Sequence, residues 1–244
     1  MKWILVPMLA LSFLTTPLLA QQTPPAKQED PLRTDWAKLA RYAAANQQLP
    51  APAANRPRVV LLGNSITDSW PKADPTFFAD KTYDYVGRGI SGQTSPQMLV
   101  RFRQDVLNLR PAVVAILAGT NDVAENTGPY DPQATLNNIM SMAELARANG
   151  VRVILCSVLP ATEFPWRKGL SPGPKIVALN EQIKAYARQQ QFTYLDYHAA
   201  MADAQQGLNS TLATDGVHPT LAGYQVMGPL LQKAVAETLK KKQK

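Results

Sequence analysis

Ser65 and His218 are the side chains of this sequence best suited to nucleophilic catalysis. A serine hydroxyl attacks readily at neutral pH only when an imidazole takes its proton and a carboxylate fixes the tautomer of that imidazole. Asp215 stands three residues before His218, in the segment Asp-Gly-Val-His-Pro, and is placed to supply the carboxylate. Pro219 favours an extended His218 and a helix start, so we expect the imidazole to project from a loop. The combination predicts a Ser-His-Asp triad.

The same residues also have purely structural explanations. A serine that follows a strand is commonly a helix N-cap, and an Asp-Gly turn before a proline-started helix needs neither acid nor imidazole. Ser65 lies in Gly-Asn-Ser-Ile-Thr, which is not the GxSxG elbow because Thr67 replaces its second glycine. The serine block alone is therefore weak evidence for a nucleophile.

Two further blocks follow predicted strands: Gly-Arg-Gly-Ile-Ser-Gly-Gln-Thr at 87–94 and Gly-Thr-Asn-Asp at 119–122. Together with the serine and histidine blocks, they make the sequence resemble the SGNH, or GDSL, hydrolase family, named for a Ser, a Gly, an Asn and a His in four separate blocks. The resemblance covers about residues 58–230, and the conjunction of the four blocks is specific. It implies a flavodoxin-like three-layer α/β/α sandwich with about five parallel strands, and the activity of a serine esterase.

The resemblance also implies a role for each matching residue. Ser65 is the nucleophile, with His218 as its base and Asp215 as the orienting acid. The oxyanion hole is formed by the backbone N–H groups of Ser65 and Gly92 and by the side-chain amide of Asn121.

The sequence departs from the family pattern at two positions. Asn64 stands where the family usually has Asp, and Gly87 stands where the second block usually begins with Asn. The first change affects hydrogen bonding within the nucleophile loop, and the second removes a supporting side chain. Neither changes the predicted triad.

Three other residues compete for catalytic roles. His198 could be oriented by Asp196, but it directly follows a predicted strand, where packing or a helix start is the more natural role. Asp122 is interpreted as a loop cap in preference to a triad acid. Cys156 is interpreted as a small buried hydrophobe and not as a reactive thiol.

The segment 159–174 is long for a loop in a compact domain, and such loops are often functional. Phe164 and Trp166 either line the substrate cleft or pin this loop to the body. Tyr130, in the loop after Asn121, is a further substrate-lining candidate.

The elements that must position these residues follow an α/β rhythm. Near-continuous apolar runs suit parallel strands that are buried on both faces, and the loops beyond their carboxyl ends carry the site. Helices are predicted from Asp131 to Gly150 and from Pro174 to Gln190, with a further one over about 34–48. The predicted strands are 59–62, 83–86, 112–117, 151–158 and 192–195.

The chain divides into four predicted segments. Residues 1–20 have the layout of a secretory signal, with Lys2 before an apolar run, which predicts an exported protein, periplasmic or secreted. Leu18 stands where a small residue usually precedes the cleavage site, so an uncleaved anchor is the alternative. Residues 21–57 form a polar, Pro-rich segment with a short helix, residues 58–239 the hydrolase domain, and residues 240–244 a basic tail.

The composition limits the remaining classes of function. One cysteine and two histidines exclude an intrachain disulfide and a Cys/His zinc cluster, so we expect no metal and no cofactor. The net charge of +7 is concentrated in the four lysines of the tail, and no nucleic-acid motif is present. We expect no stable membrane span after signal removal.

The predicted substrate is a small-molecule, carbohydrate or lipid ester. The predicted function is hydrolysis of carboxylic esters with a short acyl group, such as acetyl on carbohydrate. The alternatives are a lysophospholipase or thioesterase for longer acyl chains and a non-catalytic carbohydrate-binding relative.

Overall fold

Five parallel strands form the centre of the computed structural model, which describes residues 34–241 together with Met1 and Trp3. Their order across the sheet is β2-β1-β3-β4-β5, the doubly wound order of flavodoxin-like folds. The predicted fold class is therefore confirmed. The strands are β1 Arg58–Gly63, β2 Asp84–Gly89, β3 Val113–Ile116, β4 Arg152–Cys156 and β5 Thr193–Leu195.

Nine α-helices flank this sheet within the described residues, and two 3-10 turns, Leu39–Tyr42 and Leu107–Leu109, accompany them. The sheet and all of these helices lie within residues 35–241. The helices are α1 Ala43–Gln48, α2 Ser65–Ala73, α3 Pro75–Phe78, α4 Ser95–Asp105, α5 Thr120–Val123, α6 Pro132–Ala148, α7 Pro172–Gln190, α8 Tyr197–Met201 and α9 Leu221–Lys240.

The central strands are buried on both faces, which explains their uninterrupted apolar runs. Because side chains alternate along a strand, β1 sends Val60 and Leu62 to one core and Val59 and Leu61 to the other. Helices α4, α6 and α7 cover the first core, and α2, α3, α8 and α9 cover the second. The result is the predicted three-layer sandwich.

The two long predicted helices are present. The Asp131 carboxylate caps α6 by accepting the Ala134 N–H at 3.0 Å, and Gly150 follows the helix with a φ of 72°. Helix α7 begins at Pro172, two residues before the predicted start.

The predicted helix over 34–48 is wrong at its beginning. The Asp35 carboxylate accepts the Ala40 N–H at 2.8 Å, and Lys38 adopts a left-handed φ of 52°. Helical structure therefore starts only at Leu39, as a 3-10 turn that leads into α1. Ala37 is the buried side chain of this segment, whereas Trp36 and Leu39 are exposed.

Several expectations fall on residues that the structure leaves undescribed. They are the signal at 1–20 apart from Met1 and Trp3, the spacer up to residue 33, and residues 242–244 of the basic tail. In the described part of the chain, no helix combines the length and apolarity needed to cross a bilayer.

Candidate active site

Ser65 lies at the carboxyl end of β1, as the first residue of α2. The Asn64 side chain caps this helix by accepting the Ile66 N–H at 3.2 Å. Gly63 allows the sharp turn, because a Cβ at that position would lie 2.1 Å from the Thr67 hydroxyl oxygen. The strand-to-helix turn thus holds the serine hydroxyl at the edge of the sheet.

A chain of hydrogen bonds joins Ser65, His218 and Asp215. The Ser65 Oγ lies 2.8 Å from His218 Nε2, and His218 Nδ1 lies 2.7 Å from Asp215 Oδ2. The other oxygen of Asp215 accepts the backbone N–H of Val217 at 2.9 Å and that of His218 at 2.7 Å. The carboxylate therefore fixes both the loop and the ring, and the ring is left with Nε2 facing the serine.

The environment of Asp215 favours its ionised form. Burial opposes ionisation, but the hydrogen bonds from the His218 backbone and ring and from the Val217 N–H outweigh it and lower the pKa of Asp215. The Asp215 side chain is 37% exposed and that of His218 is 32% exposed. The pair is thus both oriented and accessible to a substrate.

Three possible oxyanion donors lie in the segments that follow β1, β2 and β3: the N–H groups of Ser65 and Gly92 and the Asn121 side-chain amide. Gly92 has a φ of 81° with open space where a side chain would stand, and in the described turns and loops neither its N–H nor that of Ser65 donates to a backbone carbonyl. The buried Asn121 amide donates to the Gln93 carbonyl at 2.9 Å. Because an amide nitrogen carries two hydrogens, Asn121 retains a second donor. The arrangement suits stabilisation of an oxyanion.

A buried guanidinium lies beneath this site, and the sequence motifs did not predict it. Arg101 is fully buried and donates to the Gly63 carbonyl at 3.0 Å, to the Gln93 side chain at 2.6 Å and to Asp105 at 3.1 Å. It therefore ties the end of β1 to the residue that follows Gly92. The available signal was the Arg-Asp pair at i, i+4 in the helix that follows the glycine block.

The segment around α1 supports the same loop from outside. The carbonyls of Ala37, Trp36 and Leu39 accept from the side-chain amides of Gln93 at 2.7 Å, Gln97 at 2.7 Å and Gln104 at 2.6 Å, respectively. Gln93 therefore joins Ala37 to Arg101. The described part of the N-terminal segment is thus a structural support of the site.

The two aromatic residues of the loop at 159–174 differ in burial. Phe164 is fully buried and pins the loop to the core. Trp166 is 44% exposed, its ring centroid lies 5.9 Å from that of His218, and its Nε1 donates to Asn126 at 3.1 Å. Tyr130 is partly buried, with the Lys175 ammonium 5.9 Å from its ring.

The competing residues occupy other places. His198 lies in α8, where burial lowers its pKa against the opposing charge of Asp196, and the Ser65 hydroxyl pairs with His218 instead. Asp122 accepts the backbone N–H of Ser95 at 3.0 Å and so caps α4. Cys156 is buried, which raises the pKa of its thiol. Across residues 34–241, no cluster of three or more His, Cys, Asp or Glu residues is arranged to hold a metal ion.

The sequence and the fold are similar to those of known proteins. The model of the GDSL-like lipase/acylhydrolase family matches residues 61–226. Esterase TesA of Pseudomonas aeruginosa is 30% identical over 182 residues, covering 73% of this chain and 82% of TesA. The crystal structure of a GDSL-like lipase from Bacteroides thetaiotaomicron is 49% identical, with a TM-score of 0.80, covering 82% of this chain and 98% of that one.

One further relative has a substrate in its name. An acetylxylan esterase of Xylanibacter ruminicola is 24% identical over 226 residues, covering 78% of this chain and 45% of that enzyme. The chain thus spans less than half the length of that relative.

Proposed function

Because the chain belongs to the GDSL-like lipase/acylhydrolase family and is a serine ester hydrolase, we propose that it removes short acyl groups, such as acetyl, from carbohydrate through an acyl-enzyme on Ser65. The observation that carries the catalytic assignment is the continuous hydrogen-bond chain from Ser65 through His218 to Asp215.

The first half-reaction acylates the serine. The Ser65 Oγ attacks the ester carbonyl carbon while its proton passes to His218 Nε2, and Asp215 stabilises the imidazolium that forms. The N–H groups of Ser65 and Gly92 and the Asn121 amide donate to the tetrahedral oxyanion. When this intermediate collapses, the carbon–oxygen bond to the alcohol breaks and the alcohol oxygen takes the proton from His218.

The second half-reaction restores the enzyme. A water molecule gives a proton to His218 Nε2 and attacks the acyl carbonyl, and the same donors stabilise the second oxyanion. Collapse of the second intermediate releases the carboxylic acid, and Ser65 regains its proton from the imidazolium. No metal or redox group is required at any step.

Trp166 supports a carbohydrate as the alcohol part of the substrate. Its half-exposed ring lies beside His218, and it is held there by Phe164 at a centroid distance of 5.2 Å and by Asn126. A fixed aromatic surface suits a ligand that combines an apolar face with polar groups, as a sugar ring does. The substrate in the name of the Xylanibacter relative agrees with this choice.

The test is a panel of esters assayed with the wild type, Ser65→Ala and Trp166→Ala. We expect kcat/KM to fall as the acyl chain lengthens from acetyl to octanoyl, and Ser65→Ala to be inactive. Trp166→Ala should raise KM for acetylated xylo-oligosaccharides by about threefold to tenfold, the scale of one aromatic contact, and leave 4-nitrophenyl acetate unaffected.

Other results would point elsewhere. Higher kcat/KM for octanoyl esters would replace this proposal with a lysophospholipase or thioesterase. Labelling of wild type by an organophosphonate ester at a serine other than Ser65 would refute the nucleophile assignment.

We also propose that the protein is exported. The support is the sequence of residues 1–20, in which Lys2 precedes an apolar run that ends at Ala20. Expression in a Gram-negative host, followed by fractionation and N-terminal sequencing, should give a periplasmic chain that begins at Gln21. A membrane-bound chain that retains Met1 would support the anchor alternative.

A further inference from the structure

A cavity of about 370 Å³ opens at the amino ends of β4 and β5. We call it the amino-end cavity. It lies at the opposite edge of the sheet from Ser65, which follows the carboxyl end of β1, and its lining includes none of the triad or oxyanion residues. Its volume is within the roughly 300–1,000 Å³ of small-molecule sites. The residues that matter for its chemistry are Arg147, Arg152, Gln190, Phe192, Thr193 and Lys241.

Two cations in this cavity are held in place by neutral groups. The Arg147 guanidinium donates to the Gln190 side chain at 2.6 Å and lies 5.3 Å from the centre of the Phe192 ring. The Lys241 ammonium donates to the Thr193 hydroxyl at 2.9 Å. These contacts fix the positions of both groups but leave their charges uncompensated.

Arg152 is the third cation that lines the cavity. Its Nε is buried and has no hydrogen-bond acceptor. An arginine has five N–H donors in a fixed planar arrangement that matches the oxygens of a carboxylate or a phosphate. Because the Nε is closed to solvent, a ligand in the cavity would contact Arg152 through its terminal N–H groups, for which the described residues provide no acceptor.

The described lining of this cavity contains no acidic side chain. No Asp or Glu is among its lining residues, and in the described part of the chain none of the three cations forms an ion pair. Glu144, one turn before Arg147 on α6, instead accepts the Tyr186 hydroxyl at 3.1 Å. Three positive charges thus line this open cavity, and none of its described lining residues is an anion.

The walls also indicate the size and character of the occupant. Val151, Val153 and Phe192 line the same space as the three cations. A ligand that fills it therefore needs an anionic group and a less polar body.

We propose that the amino-end cavity binds a sugar-sized anion, a molecule with one or more phosphate or carboxylate groups on a ring, at a site separate from the ester-cleaving centre. Arg152 binds the anionic group, Arg147 and Lys241 flank it, and the ring of the ligand packs against Phe192.

The test is a chemical-shift titration of the ¹⁵N-labelled protein with glucose 6-phosphate, glucuronate and glucose at constant ionic strength. We expect saturable shifts of the Val153, Phe192 and Thr193 amides with at least one of the two anions and none with glucose. Binding of glucose 6-phosphate alone identifies a phosphate site, and binding of glucuronate alone identifies a carboxylate site.

Arg152→Gln should weaken binding of the anion at least tenfold, because it removes the charge and keeps a similar length. Arg188→Gln is the matched control, since Arg188 is exposed on α7 and is absent from the cavity lining. If Arg152→Gln fails to fold, Lys241→Gln provides the same comparison from the exposed rim.

Three results would overturn the proposal. They are the absence of saturable shifts with either anion, equal binding of glucose, and equal affinities in Arg152→Gln and Arg188→Gln. Hydrolysis of 4-nitrophenyl acetate by folded Arg152→Gln should match the wild type, so a failure of this proposal is distinguishable from a failure of the esterase assignment.

Discussion

His218 and His198 have opposite surroundings at the scale of single residues. His218 is bonded to both a hydroxyl and a carboxylate, whereas the Nε2 of His198 is buried without a partner. We predict that His218→Ala lowers kcat by several orders of magnitude and that His198→Ala keeps most activity, since only His218 can take the serine proton. The measurement is the initial rate of 4-nitrophenyl acetate hydrolysis by each variant. The reverse pattern would show that the base is wrongly assigned.

Asn121 gives a second prediction at this scale. Asn121→Ala should lower kcat by about a hundredfold to a thousandfold with little change in KM, because its amide binds the oxyanion more strongly than the ground-state carbonyl. Asn121→Asp, which keeps the shape and removes both donors, should be similarly slow. The readouts are kcat, KM and thermal unfolding of each variant.

Asn121 also donates a hydrogen bond to the Gln93 carbonyl. If its role were purely structural, the effect of the substitution would differ. In that case the Ala variant would lose thermal stability and activity together. A folded Asn121→Ala enzyme with wild-type kcat would exclude Asn121 from the oxyanion hole.

Residue type and spacing led us to predict Ser65, His218 and Asp215 as a triad, because this chemistry requires a hydroxyl, an imidazole and a carboxylate, and the structure places the three in one hydrogen-bond chain. Arg101 could not be found in that way. A charged residue in a helix is usually exposed, and its burial here depends on acceptors contributed by Gly63, Gln93 and Asp105, which only the fold brings together. The unpaired amide nitrogen of Asn64 is likewise visible only in the structure.

At the scale of elements, the loop that carries Gly92 is bonded to residues near α1. These residues lie before the region 61–226 that the family model matches. Gln93 bonds the Ala37 carbonyl and Arg101. We therefore predict that Gln93→Leu lowers kcat at least tenfold, because the loop that carries Gly92 loses both hydrogen bonds of the Gln93 side chain. Gln104→Leu is the control, since Gln104 bonds the same segment, at Leu39, outside the oxyanion loop.

The measurement for Gln93 is kcat and KM together with thermal unfolding. A fall in kcat at unchanged KM, with Gln104→Leu near wild type, supports a positioning role. Equal losses of thermal stability and activity in both variants would show that these contacts only stabilise the fold and do not position the loop that carries Gly92.

The strands were predictable as elements because each is an apolar run, but their ends were not. Strand β2 continues three residues beyond its predicted end, through Gly87, Arg88 and Gly89. Glycine weakens the strand signal, yet a Cβ at Gly89 would lie 2.1 Å from the Asp68 nitrogen, so the close approach of α2 requires glycine there. Tertiary packing, and not local propensity, sets this boundary.

At the scale of the whole molecule, the described residues place an imidazole beside the Ser65 hydroxyl and include no group of three or more His, Cys, Asp or Glu residues that could hold a metal. We predict that EDTA leaves kcat/KM for 4-nitrophenyl acetate unchanged. Dialysis against EDTA followed by assay with and without added divalent ions measures this. Restoration of a lost activity by one of those ions would contradict the prediction.

The doubly wound order could be predicted from the resemblance, but the amino-end cavity could not. Its lining combines the end of α6, the starts of β4 and β5, and the end of α9. No local pattern links Arg147 with Lys241, which only folding brings to the same space. The basic tail could be recognised from sequence. The role that we propose for Lys241 could not, because it depends on the folded chain bringing Lys241 and Arg147 to the same cavity.

Ser65 and His218 lie 153 positions apart in the chain, and this separation also gives the enzyme an order of assembly. At typical rates of translation the base leaves the ribosome on the order of ten seconds after the nucleophile. Under the proposed mechanism, Ser65 has no base until the loop before α9 reaches the end of β1. A nascent fragment that ends before residue 215 therefore lacks both the acid and the imidazole that this mechanism requires.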